Sequence, residues 1–347
     1  MEVPSIFLNR ILAEAAKKDA SDLHLTAGSS PMIRLGNELV VLAGAEIVTA
    51  ELLNKIIETI LEPAELTKFK EQREIVLVKN LAANFRFRVN IFQQKDLPAL
   101  TFHYIPTIIK SLADLNLPNV THNFALAISG LLVVAGPYSS GRTTTIAALI
   151  EEINQAASKS IITLEDPIEF LFVSKKSIIA QRQIGRDVRT FSQGLDYCLR
   201  EDVDAVYVSE ISREEEFAAA APLILELAAG NCLVIWEINA DSSVKALERI
   251  LSAVSQKFSF ESASYNLTDI LLGVITQKLM PRRGGGLALA VEILLNNSAV
   301  KSLIREGKFY QLESIMQTSR GEGMISLAKS IEQLVQAGEV RPEDAKK

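Results

Sequence analysis

The chain has 347 residues, 48% apolar and 22% charged, a balance and length that suit a globular protein of two domains. Its formal charge of −6 argues against a general nucleic-acid or anionic-membrane binder. Two cysteines, Cys198 and Cys232, make neither a zinc cluster nor a disulfide framework and fit a reducing cytoplasm. No uninterrupted apolar run of roughly 18 residues and no signal-peptide pattern stand in it, so membrane contact is expected only through partners.

Taken in order, residues 5–18 carry Phe7, Leu8, Ile11, Leu12 and Ala15 at helical spacing, and residues 20–25 alternate as a half-buried strand does. Extended pieces follow at 32–35 and 39–42. Thr49 caps a helix through Leu61 with Leu52, Leu53, Ile56, Ile57 and Ile60 on one side, and Pro63 starts a short one. Residues 85–92 alternate cleanly, so Arg86, Arg88 and Asn90 share the face opposite Phe85, Phe87, Val89 and Ile91; a further strand covers 100–105. The proline-bracketed stretch 106–118 reads as a connection, giving a first domain over 1–110, a linker over 111–119 and a second domain over 120–347.

In the second domain, strands at 131–135, 160–164, 205–208 and 232–238 alternate with helical patterns, the order of a parallel sheet covered on both faces. A hairpin follows over 275–279 and 287–294, then helices at 299–304 and 325–335 with Gly338 as a stop.

The chemistry concentrates at residues 131–145. An apolar strand runs into Gly136-Pro137-Tyr138-Ser139-Ser140-Gly141-Arg142-Thr143-Thr144, and a helix follows. This is the context of a phosphate-binding loop: glycines let backbone N–H groups curl inward, and the helix adds the positive end of its dipole. Gly136, Pro137, Ser139, Ser140, Gly141, Arg142, Thr143 and Thr144 are the expected binding residues for a nucleotide's phosphates, with the Thr143 hydroxyl on Mg²⁺. The template lysine is replaced by Arg142, which keeps the charge but is planar and bulkier. Acids at two strand ends, Glu165 and Glu210, can converge on the same nucleotide, one positioning water or acting as base and the other, Glu210, holding Mg²⁺.

These motifs resemble those of the PilT-like retraction ATPases of type IV pili, within the broader type II/type IV secretion ATPases. The segment 20–25 with Pro31-Met32-Ile33-Arg34 resembles the family's N-terminal domain. Thr163-Leu164-Glu165-Asp166-Pro167-Ile168-Glu169 matches its Asp box, and Leu199-Arg200-Glu201-Asp202 leads to Glu210 as in its Walker B segment. Residues 299–307 and Gly323-Met324 resemble its C-terminal helices. The resemblance implies an α/β chain with a PAS-like N-terminal domain, a RecA-like P-loop ATPase domain and C-terminal helices. It further implies a ring of six subunits, and a cytoplasmic motor peripheral to the inner membrane through a pilus platform protein or a paralogous motor. It assigns catalytic roles to Glu165, Glu210, Arg86, Arg88 and Arg200.

The departures are Arg142, His103 where the family has a third arginine, Cys232 and Asn239 in place of two His-box histidines, and Ser209 in place of a glycine. Four of these changes in one pocket, Arg142, His103, Cys232 and Asn239, point to weakened hydrolysis. Two classes therefore compete: a motor that powers retraction and twitching motility by hydrolysis, and a weakly active or non-catalytic paralogue that regulates or scaffolds one. His24 and Trp236 read as structural, and His122 as a surface residue.

Overall fold

The computed structural model describes residues 3–18, 20–36, 38–82 and 85–346. The chain forms two compact α/β units, one built from residues up to Ile108 together with Glu169–Leu171, the other from Ile109–Ile168 and from Phe172 onward.

The first unit holds a six-stranded antiparallel sheet. Its strands are β1 (Asp22–Thr26), β2 (Met32–Leu35), β3 (Glu38–Val41), β4 (Glu74–Leu81), β5 (Phe85–Gln94) and β6 (Leu97–Ile105), in the order β3-β2-β1-β6-β5-β4. Three helices accompany it: α1 (Pro4–Lys17), α2 (Ala50–Ile60) and α3 (Pro63–Gln72). Thr49 caps α2 by accepting from the Leu52 N–H. One sheet face (Leu23, Leu25, Val89, Ile91, Phe102) packs against Ile11 and Leu12 of α1 and Leu53 and Ile56 of α2, all essentially inaccessible to solvent. Strand β4 does not stand out from its sequence because apolar residues lie on both faces: Ile75 and Leu77 are buried while Val76 is 45% exposed.

The second unit holds a seven-stranded sheet of β7 (Gly130–Gly136), β8 (Ser160–Glu165), β9 (Ile178–Gln183), β10 (Ala205–Val208), β11 (Leu233–Asn239), β12 (Leu271–Pro281) and β13 (Leu287–Leu295). The order is β13-β12-β7-β11-β10-β8-β9, parallel throughout except for the β12/β13 hairpin. Its helices are α4 (Val120–Ala125), α5 (Arg142–Ala156), α6 (Phe191–Cys198), α7 (Glu214–Ala229), α8 (Ser243–Val254), α9 (Phe260–Ile270), α10 (Ser298–Arg305), α11 (Leu312–Thr318) and α12 (Leu327–Gln336).

Strand β7 shows why its apolar run is unbroken. Leu131, Val133 and Ala135 enter one core with α6, α7, α8 and α9, while Leu132 and Val134 enter another with α5. A central parallel strand is covered on both sides and has no polar face to show. Strand β9 is the opposite case, an edge strand with Ile178 75% exposed and Gln181, Arg182 and Gln183 at its end, and its sequence gives no apolar pattern. The stretch 111–119, expected as a linker, packs into the second unit: Leu112 and Leu117 are buried beside α4 and α5, and the division falls between Ile108 and Ile109.

His24 on β1 is structural, with a pH consequence. Burial holds its imidazole below the ordinary value of 6.5, against the partly opposing charge of Asp22. Thr101 Oγ1 lies 3.3 Å from Nδ1, and Nε2 is buried without a partner. The folded form therefore disfavours the proton that the unfolded chain accepts, so this stability is complete above pH 6.5 and is lost as pH falls through the lowered folded value. Replacing His24→Asn should flatten the fall in melting temperature between about pH 7 and about pH 5, measured by calorimetric scans. An unchanged slope would assign the acid sensitivity elsewhere.

Candidate functional site

The site is assembled at the carboxyl ends of β7, β8, β10 and β11. β7 ends at Gly136, the chain turns over residues 137–141, and α5 starts at Arg142 with Gly141 as its cap in the left-handed region at φ 87°. Ser139 is also left-handed, at φ 59°. The first N–H groups of α5 have no acceptor within their own helix, so the turn directs donors and the dipole's positive end to one spot. Gly136 leaves no room for a side chain: an added Cβ would meet Ser140 Oγ at 2.3 Å and the Gln277 carbonyl oxygen at 2.8 Å.

Two donors at this spot are buried without a partner, Ser140 Oγ and Arg142 Nη1. Buried donors in that state carry a free-energy cost that an acceptor removes, and a phosphate fits both. Gln277 of β12 braces α5 from the other side, donating from Nε2 to Thr145 Oγ1 at 2.9 Å.

Arg142 does not extend freely toward the loop. It is 6% exposed. Its Nη2 donates to Glu210 Oε2 at 2.5 Å and its Nε lies 3.2 Å from Glu237 Oε1. Glu237 is itself buried and accepts from the Tyr207 hydroxyl at 2.7 Å, and Asn239 Nδ2 donates to Glu210 Oε1 at 3.2 Å. The arginine thus sits in a chain of polar groups running from β10 to β11. Tyr207 and Ile235 face α5, and in parallel strands Glu237 shares that face.

Glu165 closes β8 and is 2% exposed; its Oε1 accepts from Thr163 Oγ1 at 2.6 Å and from Gln181 Nε2 at 3.1 Å. Ser209 ties the two acid-bearing strand ends together. Its N–H donates to the Leu164 carbonyl and its hydroxyl accepts from the Asp166 N–H at 3.1 Å. Among the described residues no three His, Cys, Asp or Glu side chains converge to hold a metal ion. Both oxygens of the Glu210 carboxylate are held, by Arg142 and by Asn239.

The structure brings Arg142 of the loop, Glu210 and Asn239 together, and leaves Glu165 at the end of β8 with Thr163 and Gln181. Within the second unit it does not bring Cys232 to the pocket of Arg142 and Asn239, which corrects the expectation. Cys232 precedes β11, where its carbonyl accepts from the Gly130 N–H, whereas Asn239 at the other end pairs with Gly136. Seven residues of strand put about 20 Å between them. Burial pushes the Cys232 thiol up to about 12 and the Cys198 thiol to about 11, so neither offers a thiolate near neutral pH.

His103 belongs to the first unit, on β6, where Nδ1 lies 2.9 Å from Asp22 Oδ1. Burial raises the Asp22 carboxyl, but the His103 hydrogen bond and charge outweigh it and leave the value lowered. Arg86 and Arg88 share one face of β5, as their spacing requires. Arg86 Nε donates to the Glu169 carbonyl and Arg88 Nη1 to Glu169 Oε1 at 3.2 Å. Arg200 lies beyond the end of α6, exposed and paired with Asp196 at 2.8 Å. It stands before the amino end of β10, away from the loop of its own chain. Trp236 is core, stacked on Phe217 at 4.8 Å between ring centroids.

Sequence reasoning missed Glu237 and Tyr207. A signal existed: Glu237 is the lone charge inside the apolar run 233–238, and a carboxylate in a buried strand needs a partner. Gly136→Ala should lower nucleotide affinity by at least about tenfold in titration calorimetry, because the added methyl group displaces Ser140 and presses on backbone. Unchanged affinity would remove the loop from the site.

Residues 111–336 match the family of type II/IV secretion system proteins. The type IV pilus retraction ATPase PilT of Pseudomonas aeruginosa is 33% identical over 339 residues, 98% of this chain and 97% of that protein. A twitching motility protein of Neisseria gonorrhoeae is 33% identical, covering 92% of this chain and 84% of its own. Among solved structures, the pilus retraction motor PilT with bound ADP superposes with a TM-score of 0.81 at 32% identity, over 97% of this chain and 95% of that one. The ATPase DotB of Legionella pneumophila shares the fold, with a TM-score of 0.83 at 21% identity over 99% and 95% of the two chains. The loop, the strand-end acids and this end-to-end likeness together place the chain in the type II/IV secretion ATPase family, among its PilT-like members.

Proposed function

We propose that the protein is the ATP-driven subunit of a pilus retraction motor and that it hydrolyses ATP slowly. The carrying observation is the phosphate loop with its two buried, unpartnered donors beside strand-end carboxylates. ATP is the substrate. The loop N–H groups and Ser140 hold its phosphates, and Glu165 or Glu210 orients a water whose oxygen bonds to the terminal phosphorus as the bond to ADP breaks. Phosphoryl transfer asks a protein mainly for positioned charge and a positioned water. Arg86, Arg88 and Arg200 are assigned to charge neutralisation by family likeness. Mg²⁺ would lower the charge of the phosphates when bound.

Slow turnover follows from where Arg142 is held. Its planar fork meets Glu210 and Glu237 at once, which occupies the charge that a template lysine offers to the terminal phosphates. It also occupies Glu210. A lysine at this place is a flexible point charge that cannot span both carboxylates in the same fixed geometry. Arg142→Lys should therefore raise kcat with little change in nucleotide Kd, the pattern of an interaction gained in the transition state. Steady-state ATPase assays on the parent, Arg142→Lys and Glu210→Gln test this. A parent as fast as Arg142→Lys, with Glu210→Gln inactive, would show that the arginine works as it stands.

The subunit is further proposed to act as a ring of six in the cytoplasm, reaching the inner membrane through a platform protein or a paralogous motor. No helix among the described residues is long and apolar enough to cross a membrane. A closed ring repeats one heterologous contact by rotation. Light scattering with nucleotide should give the mass of a hexamer; monomer alone at high concentration would count against the ring.

A further inference from the structure

The Arg142 site contains a carboxylate that the loop template does not require. Glu237 is nine-tenths buried on β11, oriented by the Tyr207 hydroxyl at 2.7 Å and set 3.2 Å from Arg142 Nε. With Glu210 on Nη2, two negative groups take the single positive charge of Arg142. Only Nη1 is left to offer, buried and without a partner. We infer that Glu237 is a positioning residue that holds Arg142 against the sheet and so sets how strongly the loop attracts phosphate. The inference rests on the nucleotide reading of the loop.

The argument is one of charge and distance. Coulomb attraction falls with separation and is strong where water is excluded. A guanidinium already in contact with two carboxylates presents no net positive charge to a third anion approaching from the loop side. Arg142 together with Glu210 and Glu237 sums to −1 (one cation, two carboxylates). A nucleotide entering this loop gains from backbone dipoles and from Ser140, and little from the arginine. Converting Glu237 to its amide removes one negative charge and leaves the shape, the Tyr207 hydroxyl partner and the packing in place. Arg142 then keeps one carboxylate and regains attraction for phosphate. Tyr207→Phe acts on the same link more gently, because Glu237 loses the donor that fixes its carboxylate.

The test is titration calorimetry on the full chain with adenosine, ADP and ATP, comparing the parent with Glu237→Gln and Tyr207→Phe. Glu237→Gln should tighten ATP binding by roughly tenfold, the scale of one unit charge in a partly buried site, ADP by less, and adenosine not at all. Tyr207→Phe should give a smaller change of the same sign and ranking; it carries the test if circular dichroism shows that Glu237→Gln does not fold. A purely structural role would move all three ligands alike, so an equal shift for adenosine and ATP overturns the proposal. Unchanged or weaker ATP binding in the folded variants overturns it too. If neither the parent nor the variants bind ATP or ADP, the nucleotide reading falls and this inference with it, an outcome distinct from binding that ignores Glu237.

Discussion

The buried contact of Arg142 with Glu210 and Glu237 governs the second unit's site. A guanidinium taken out of water needs its charge and its N–H groups met, and removing one partner of such a pair generally costs about 3–5 kcal/mol. Those partners come from β11, which pairs with β7, and from the turn that follows β10 on the other side of β11. Tyr207 and Asn239 then anchor the carboxylates themselves. The charge that the loop displays is set by a residue on a different strand.

Polar residues that look anomalous one at a time become a set once the strand ends are placed. The Ser209 hydroxyl accepts from the Asp166 N–H between the two acid-bearing turns. The Asn239 side-chain amide donates to the Glu210 carboxylate. Both serve hydrogen bonds within the second unit. Cys232 shares a motif with Asn239 and serves a different end of the strand, because sequence proximity of seven residues along β11 is the full length of that strand.

What could be read from the sequence follows from how local each signal is. The strand–turn–helix of residues 130–156 is carried by consecutive residues, as are the Thr49 cap and the alternation of β5, and each stands in the structure. β4 and β9 escaped because their residues answer to neighbours rather than to a period: Val76 is exposed on an apolar strand, and β9 runs along a sheet edge. The stretch 106–118 is bracketed by prolines, which mark turns whether or not the leucines between them are buried. The clamp on Arg142 was out of reach as geometry, since it joins positions 142, 207, 210, 237 and 239 through the register of β10 and β11. Only Glu237, a lone charge in an apolar strand, announced that something there had to be neutralised.

The stacking of Trp236 on Phe217 has a use of its own. The chain contains a single tryptophan, and it lies next in sequence to Glu237, on the opposite face of the same strand, fully enclosed and with its indole N–H unpartnered. Its emission therefore carries no background from other indoles and responds to the environment of one strand. A shift of β11 as the guanidinium on its far side changes partners would alter ring overlap or solvent access at Trp236. The protein thus carries an optical reporter one residue from the charge that its phosphate loop depends on, with no label to attach.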